Sequence, residues 1–330
     1  MPTLPLLTLP ADDAAADVPR VVAAPGGYQW WYFEALDPVA DLRVTVMLFD
    51  GNPFYPQYLR RYAWYRRYPT KLAPPVPLEY PGVMVRVCEK GKVVRRTMRA
   101  DAPGACHATD GAVRVSGDGF STMADGSLRL TIAGTLDLTF RPRQTAVAPT
   151  VQELARGVSV LEPHGWVIAH PACAVEGSVT LRDRAAQFSG LGYQDQNFGA
   201  EPVHLAARRW YWACAWLGDA AHVVAEVVPR HGQSRGVRLI GSTAIGSATW
   251  NARTAMRVPY PTMIDFGDDL RLDDPHVIES TPVLVQLRYR ARVGDVTTTA
   301  VAHVVEPGRA AWPVVARVFE RLIHDRGGAK

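Results

Sequence analysis

Asp195 is the residue best placed to do acid chemistry. It lies in Gly190–Pro202, GLGYQDQNFGAEP, with the phenol Tyr193 before it and the amides Gln196 and Asn197 after it. A carboxyl among neutral hydrogen-bonding groups can act as an acid when apolar surroundings raise its pKa. The same composition also describes a polar turn at a strand end, where Asp, Asn and Gly are favoured for backbone reasons. A second segment, Pro163–Pro171 (PHGWVIAHP), carries His164, Trp166 and His170. In an extended strand these three point to one side. A His beside a Trp on an inward face could relay protons along an aromatic wall, or could simply pack there. His164 and His170 have no convincingly spaced third ligand, so no metal is expected.

Aromatic residues gather in two further runs. Gly26–Glu34 (GGYQWWYFE) places five aromatics in six positions. Strand alternation sends Tyr28, Trp30 and Tyr32 to one side and Trp31 and Phe33 to the other. Trp210, Trp212 and Trp216 share a parity in Arg208–Trp216 (RRWYWACAW) and are expected to face one interior. Core packing alone accounts for some of this, since aromatics bury large areas. Together the runs suit an aromatic-lined pocket for a long apolar ligand.

Other chemistries find little support. The sequence has no GxSxG, and the proximity of Cys173 to His170 is a weak signal for a thiol nucleophile. Asp268, Asp269, Asp273 and Asp274 read as a solvated acidic loop rather than a glycosidase pair. Neither a GxGxxG after a strand nor a Walker-type loop occurs, so no nucleotide cofactor is expected.

The elements that must position these residues are mostly strands. Arg43–Phe49, Val83–Val87, Ala112–Ser116 and Ser127–Phe140 alternate, the last as a hairpin turning at Ala133–Gly134. Further alternating runs flank turns at Gly218–Asp219 and Gly294–Asp295. Many short strands with frequent turns predict an all-β chain of barrels or sandwiches. Trp312–His324 reads as a C-terminal helix with Trp312, Val315, Phe319 and Leu322 on one face. Pro56–Tyr68 (PQYLRRYAWYRRY) reads as a helix with Tyr58, Tyr62 and Tyr65 on one face. Its interleaved arginines and aromatics fit a half-buried cover over a barrel end, a membrane surface or single-stranded nucleic acid.

The 330 residues suit two domains of about 150 each. The expected division is a loose N-terminal segment, 1–25, then domains 26–205 and 206–330. A net charge of +4 gives no case for a nucleic-acid partner. Four cysteines without a CxxC read as free thiols in a reducing compartment. The N-terminus lacks a basic n-region and no apolar run reaches membrane-span length. A cytoplasmic location, with peripheral membrane contact possible, is the expectation.

These segments together resemble the carotenoid 1,2-hydratases, also called hydroxyneurosporene synthases. GGYQWWYFEALD matches the family's Gly-Gly-Tyr-x-Trp-Trp-Tyr opening, and GNPFYPQY its Gly-x-x-Phe-x-Pro-x-Tyr-like stretch. PHGWVIAHPACAVEG resembles the family's His-x-Trp strand, GLGYQDQNFGAEP its Gly-x-Gly-Tyr-x-Asp-x-Asn segment, and RRWYWACAW the Trp-rich strand that follows. The resemblance covers residues 26–230. It implies two lipocalin-like barrel or sandwich domains, no cofactor, and an apolar polyene or isoprenoid substrate. The acid–base set it implies is His164, Trp166, Tyr193 and Asp195. Trp30, Tyr32, Asn197, Trp210 and Trp212 are expected at the substrate. The implied reaction is hydration of a carbon–carbon double bond. The wider group also holds cyclases that steer Diels–Alder reactions and lipocalin-like proteins of unknown role. A pericyclase, an isomerase or a non-catalytic carrier are therefore the alternatives.

Overall fold

The computed structural model describes residues 23–144, 164–182, 184–230, 236–240, 242, 244–252, 254 and 257–324. The side chains of 319–324 are not part of that description. Most of the expected segment 1–25, and two positions of the expected C-terminal helix face (Phe319 and Leu322), therefore lie outside it.

The chain is mostly β. Its first eleven strands are β1 (Tyr28–Asp37), β2 (Leu42–Asp50), β3 (Gly82–Glu89), β4 (Lys92–Ala100), β5 (Cys106–Thr109) and β6 (Ala112–Val115), followed by β7 (Asp118–Thr122), β8 (Leu128–Ile132), β9 (Leu136–Pro142), β10 (His164–Thr180) and β11 (Ala185–Gly199). They form one antiparallel sheet in the order β4-β3-β2-β1-β11-β10-β9-β8-β7-β6-β5. The next eight close an antiparallel barrel: β12 (Ala207–Leu217), β13 (Ala220–Pro229), β14 (Val237–Ile240), β15 (Ile245–Trp250), β16 (Pro261–Asp265), β17 (Arg271–Ser280), β18 (Leu284–Val293) and β19 (Val296–Val305). Helices are few. Pro56–Arg67 buries Tyr58 and Tyr62 as its periodicity predicts, and Pro313–His324 ends the described chain.

Period-2 alternation sorts the side chains into three clusters. Trp31 and Phe33 of β1 join Val44, Val46, Phe120, Phe140 and Val175 on one face of the long sheet. The barrel interior is filled by Tyr211, Ala213, Leu287, Tyr289 and their neighbours. The third cluster lies between sheet and barrel. It takes Tyr28, Trp30 and Tyr32 from β1 and Trp212, Cys214 and Trp216 from β12. The interior shared by the β12 tryptophans is therefore outside the barrel. Burying each such aromatic stabilises the fold by roughly 1.5–3 kcal/mol.

Two local features differ from a simple strand reading. Gly190–Gly199 is continuous strand, not a polar turn. The register of β10 against β11 shifts after Val167, so that His170 pairs with Gln194 rather than continuing the Trp166–Asn197 face. That bulge turns His170 away from His164 and Trp166. Of the four aspartates read as a loop, Asp268 and Asp269 lie in a turn, but Asp273 and Asp274 belong to β17. Asp273 is within ion-pair distance of Arg271, Arg290 and Arg292. All four cysteines are buried and free.

Candidate active site

The site is built on β11 where it lies between β1 and β10. Antiparallel pairing sets Tyr32 opposite Asp195, and Trp30 and Trp166 opposite Asn197, all on the face toward the barrel. Gly192 is required on the opposite face of the sheet, where a Cβ would stand 2.5 Å from Val175 Cγ2. Its carbonyl accepts a hydrogen bond from the Trp216 indole at 3.2 Å, tying β12 to the sheet.

Asp195 is buried and takes three hydrogen bonds. Tyr193 Oη donates to Oδ2 at 2.7 Å, Trp166 Nε1 donates to Oδ2 at 2.8 Å, and Asn197 Nδ2 donates to Oδ1 at 2.9 Å. Burial raises the carboxyl to about 7, against the partial opposition of those three donors. Burial also pulls His164 down to about 4, so its imidazole is neutral. The Tyr28 hydroxyl meets His164 Nδ1 at 2.5 Å, and the neighbouring Asn197 side chain partly offsets the lowering of His164. Hydrogen bonds thus join Tyr28 to His164 and Asn197 to Asp195, with His164 and Asn197 side by side in the cavity lining.

Asp195, Asn197, His164 and Trp166 line a cavity of about 310 Å³ between sheet and barrel. Trp30, Tyr32, Trp210 and Trp212 line it too. Trp30 stacks on Trp210 at 6.3 Å between ring centroids, and Trp212 packs against Tyr193 at 4.9 Å. Tyr193 is buried and reaches the site through its hydroxyl. Every residue expected at the site is therefore gathered in one place. Met47, Met84 and Met98, on three adjacent strands of the sheet, complete an apolar floor.

Sequence reasoning missed part of the lining. His303 stacks on Trp212 at 5.0 Å, and burial lowers its pKa to about 3. Arg86, Arg96, Glu279 and Gln286 form a second polar end of the cavity. Arg86 sits in the alternating VMVRV run of Val83–Val87, where an arginine reads as solvent-facing. Only the covering barrel buries it.

A sheet and a closed barrel enclosing a buried acid define a β-barrel protein with an internal, aromatic-lined cavity. A family model described as carotenoid hydratase CrtC matches residues 82–264, more than half of the chain, and the protein belongs to that family. It is 28% identical over 318 residues to an acyclic carotenoid 1,2-hydratase of Thiocapsa roseopersicina, covering 92% of this chain and 74% of that protein. It is 27% identical over 208 residues to a hydroxyneurosporene dehydrogenase of Chlorobaculum tepidum, covering 57% of this chain and 53% of that protein. The chain thus spans about half the length of the Chlorobaculum relative. Among solved structures, a provisionally assigned AttH from Nitrosomonas europaea superposes with a TM-score of 0.62 at 13% identity, covering 93% of this chain and 99% of that one. The kievitone hydratase of Nectria haematococca does so with a TM-score of 0.54 at 12% identity, covering 91% and 94%. Both share the lipocalin-like two-part fold.

Proposed function

We propose that this protein adds water across a carbon–carbon double bond of an acyclic carotenoid or related isoprenoid, without a cofactor. The observation that carries the reading is Asp195, a buried carboxyl held near neutrality by burial, with neutral donors around it and an aromatic cavity in front of it. Family membership supports the same reading.

Hydration of a trisubstituted alkene begins with proton transfer to the less substituted carbon, which leaves a tertiary cation. Oδ2 of Asp195 is occupied by two donors and Oδ1 by one, so Oδ1 has room for the transferable proton. The alkene π pair forms the new C–H bond as that proton leaves. Trp212, Trp210 and Tyr32 line the cavity, and their rings would stabilise the cation. Water then forms the C–O bond, and its surplus proton returns to Oδ1, restoring the acid. His164 is a positioning residue in this scheme, because it stands beside Asn197, which donates to Asp195. The same reading takes residues 26–205 and 206–330 as the two domains that share the cavity.

Among the described residues, no helix is long and apolar enough to cross a membrane. Supply of a lipophilic substrate from a membrane surface is nonetheless part of the proposal. Val318 both lines the cavity and is 47% exposed. Exposed Val314 and Trp312 precede it, and the adjoining helix Pro56–Arg67 exposes Trp64 beside Arg60, Arg66 and Arg67. Apolar side chains flanked by arginines suit an anionic bilayer surface.

The test is incubation with neurosporene or lycopene in lipid, with mass spectrometry of the product. Wild type is expected to yield a water adduct. Asp195→Asn is expected to keep its circular-dichroism spectrum and lose about 10²- to 10⁴-fold in rate, the usual contribution of a positioned acid. A fully active Asp195→Asn protein overturns the mechanism, and ligand that binds unchanged to wild type favours a carrier.

A further inference from the structure

His303 lies between the two ends of the cavity and has no part in the hydration scheme so far. On β19 it alternates with Ala302 and Val304, which fill the barrel interior, so its imidazole points out of the barrel toward the sheet. It stands opposite Trp212 on β12 and opposite Gln286 on β18. The imidazole stacks on the Trp212 indole at 5.0 Å, and Tyr32 meets it edge-on at 5.6 Å. The Trp212 ring in turn lies 4.9 Å from that of Tyr193, whose hydroxyl donates to Asp195. One ring thus separates the imidazole from the tyrosine bound to the acid.

The polar groups nearby are committed elsewhere. Tyr32 Oη and Thr45 Oγ1 donate to Glu34, and Trp166 Nε1 and Asn197 Nδ2 donate to Asp195. Among the described residues His303 makes no hydrogen bond, and its ring nitrogens keep accessible surface. The side chain is half-buried and lines the cavity. A neutral imidazole has one N–H donor and one bare nitrogen that accepts. Burial, with Arg43 and Arg86 nearby, lowers its pKa to about 3, so the bare nitrogen stays bare at neutral pH. An acceptor open to an apolar cavity gains from pairing with an O–H group, and water addition brings one.

We propose that His303 holds the water that captures the cation, accepting a hydrogen bond from one O–H and leaving the oxygen lone pair toward the carbon. This role rests on the hydration reading. Stacking sets the imidazole beside Trp212, one of the rings assigned to the cation, so the water waits where the charge develops. The lone pair forms the C–O bond. One hydrogen stays bonded to oxygen and directed at the imidazole, and the other is the surplus proton that returns to Asp195. His303 itself is unchanged over the cycle. Without it the cation still forms, but capture is slow. The cation then loses a proton from a neighbouring carbon to the Asp195 carboxylate, which regenerates an alkene.

The test runs the full chain with lycopene in lipid vesicles made up in D2O. Asp195 then hands over a deuteron, so a cation that reverts gives labelled carotenoid and a captured one gives hydrate. Mass spectrometry counts both. His303→Phe keeps a ring against Trp212 and removes the acceptor. It is expected to lower the hydration rate about 10- to 100-fold, the cost of a misplaced reactant, while labelling of the recovered carotenoid is undiminished. His303→Gln, whose amide oxygen accepts a hydrogen bond, is expected to recover part of the hydration. His303→Leu replaces the phenylalanine variant should circular dichroism show that one misfolded. Hydration at the wild-type rate without the acceptor, or hydration and labelling that fall together, overturns the proposal. A wild type that forms neither hydrate nor labelled carotenoid overturns the hydration reading instead, and the role of His303 with it.

Discussion

The two ends of the cavity use buried carboxyls in opposite ways. At one end Asp195 is surrounded by a phenol, an indole and an amide, and no cation contributes to its pKa. At the other end Glu279 sits between two guanidinium groups. Glu34, one strand over from Tyr193, is likewise clamped by Arg43 at 2.6 Å and accepts from Thr45. Burial is similar in all three, with exposures of 4%, 7% and 0%. The counter-ion, not the depth, separates them. A buried carboxyl with a guanidinium neighbour is a strut that ties strands together. One with only neutral donors can hold its proton near neutral pH and give it up to a substrate.

The contrast can be broken from the strut side first. Glu279→Gln removes the charge shared by Arg86 and Arg96 and leaves Arg86 buried without a counter-ion. Loss of one partner from a buried pair costs about 3–5 kcal/mol. Arg96 is partly exposed, which places the expected loss near the lower figure. Chemical denaturation measures it, and a loss below about 1 kcal/mol would show that the pair is not a strut. A smaller effect sharpens the acid side. Trp212→Leu takes a ring face from the site of the developing cation and is expected to lower kcat roughly 2- to 30-fold. If KM rises instead and kcat is unchanged, the indole only binds ligand and does not stabilise the cation.

Much of the acid end was legible in the sequence because it is local. Tyr193, Asp195 and Asn197 alternate on a single strand, and His164 with Trp166 alternates on the next. Parity alone places each set on one face. The aromatic wall of Trp30 and Tyr32 was readable for the same reason. The polar end was not, because Arg86, Glu279, Gln286 and His303 come from four strands spread over more than two hundred residues. An arginine within an alternating strand gives no sign that a barrel will cover it. His170 misled because a bulge reverses parity without a clear mark in the sequence. Parity also grouped the tryptophans of β12 correctly, but it cannot tell the inside of a barrel from its outer wall. Closure of β12 onto β19 settles that.

The central claim is that Asp195 keeps its proton near neutrality, and infrared difference spectroscopy tests it most directly. The protonated-carboxyl band present in wild type and missing from Asp195→Asn should titrate away with a midpoint at about 7. A midpoint below about 4.5, within the ordinary range for aspartate, would mean that Asp195 is a carboxylate at working pH and cannot be the acid.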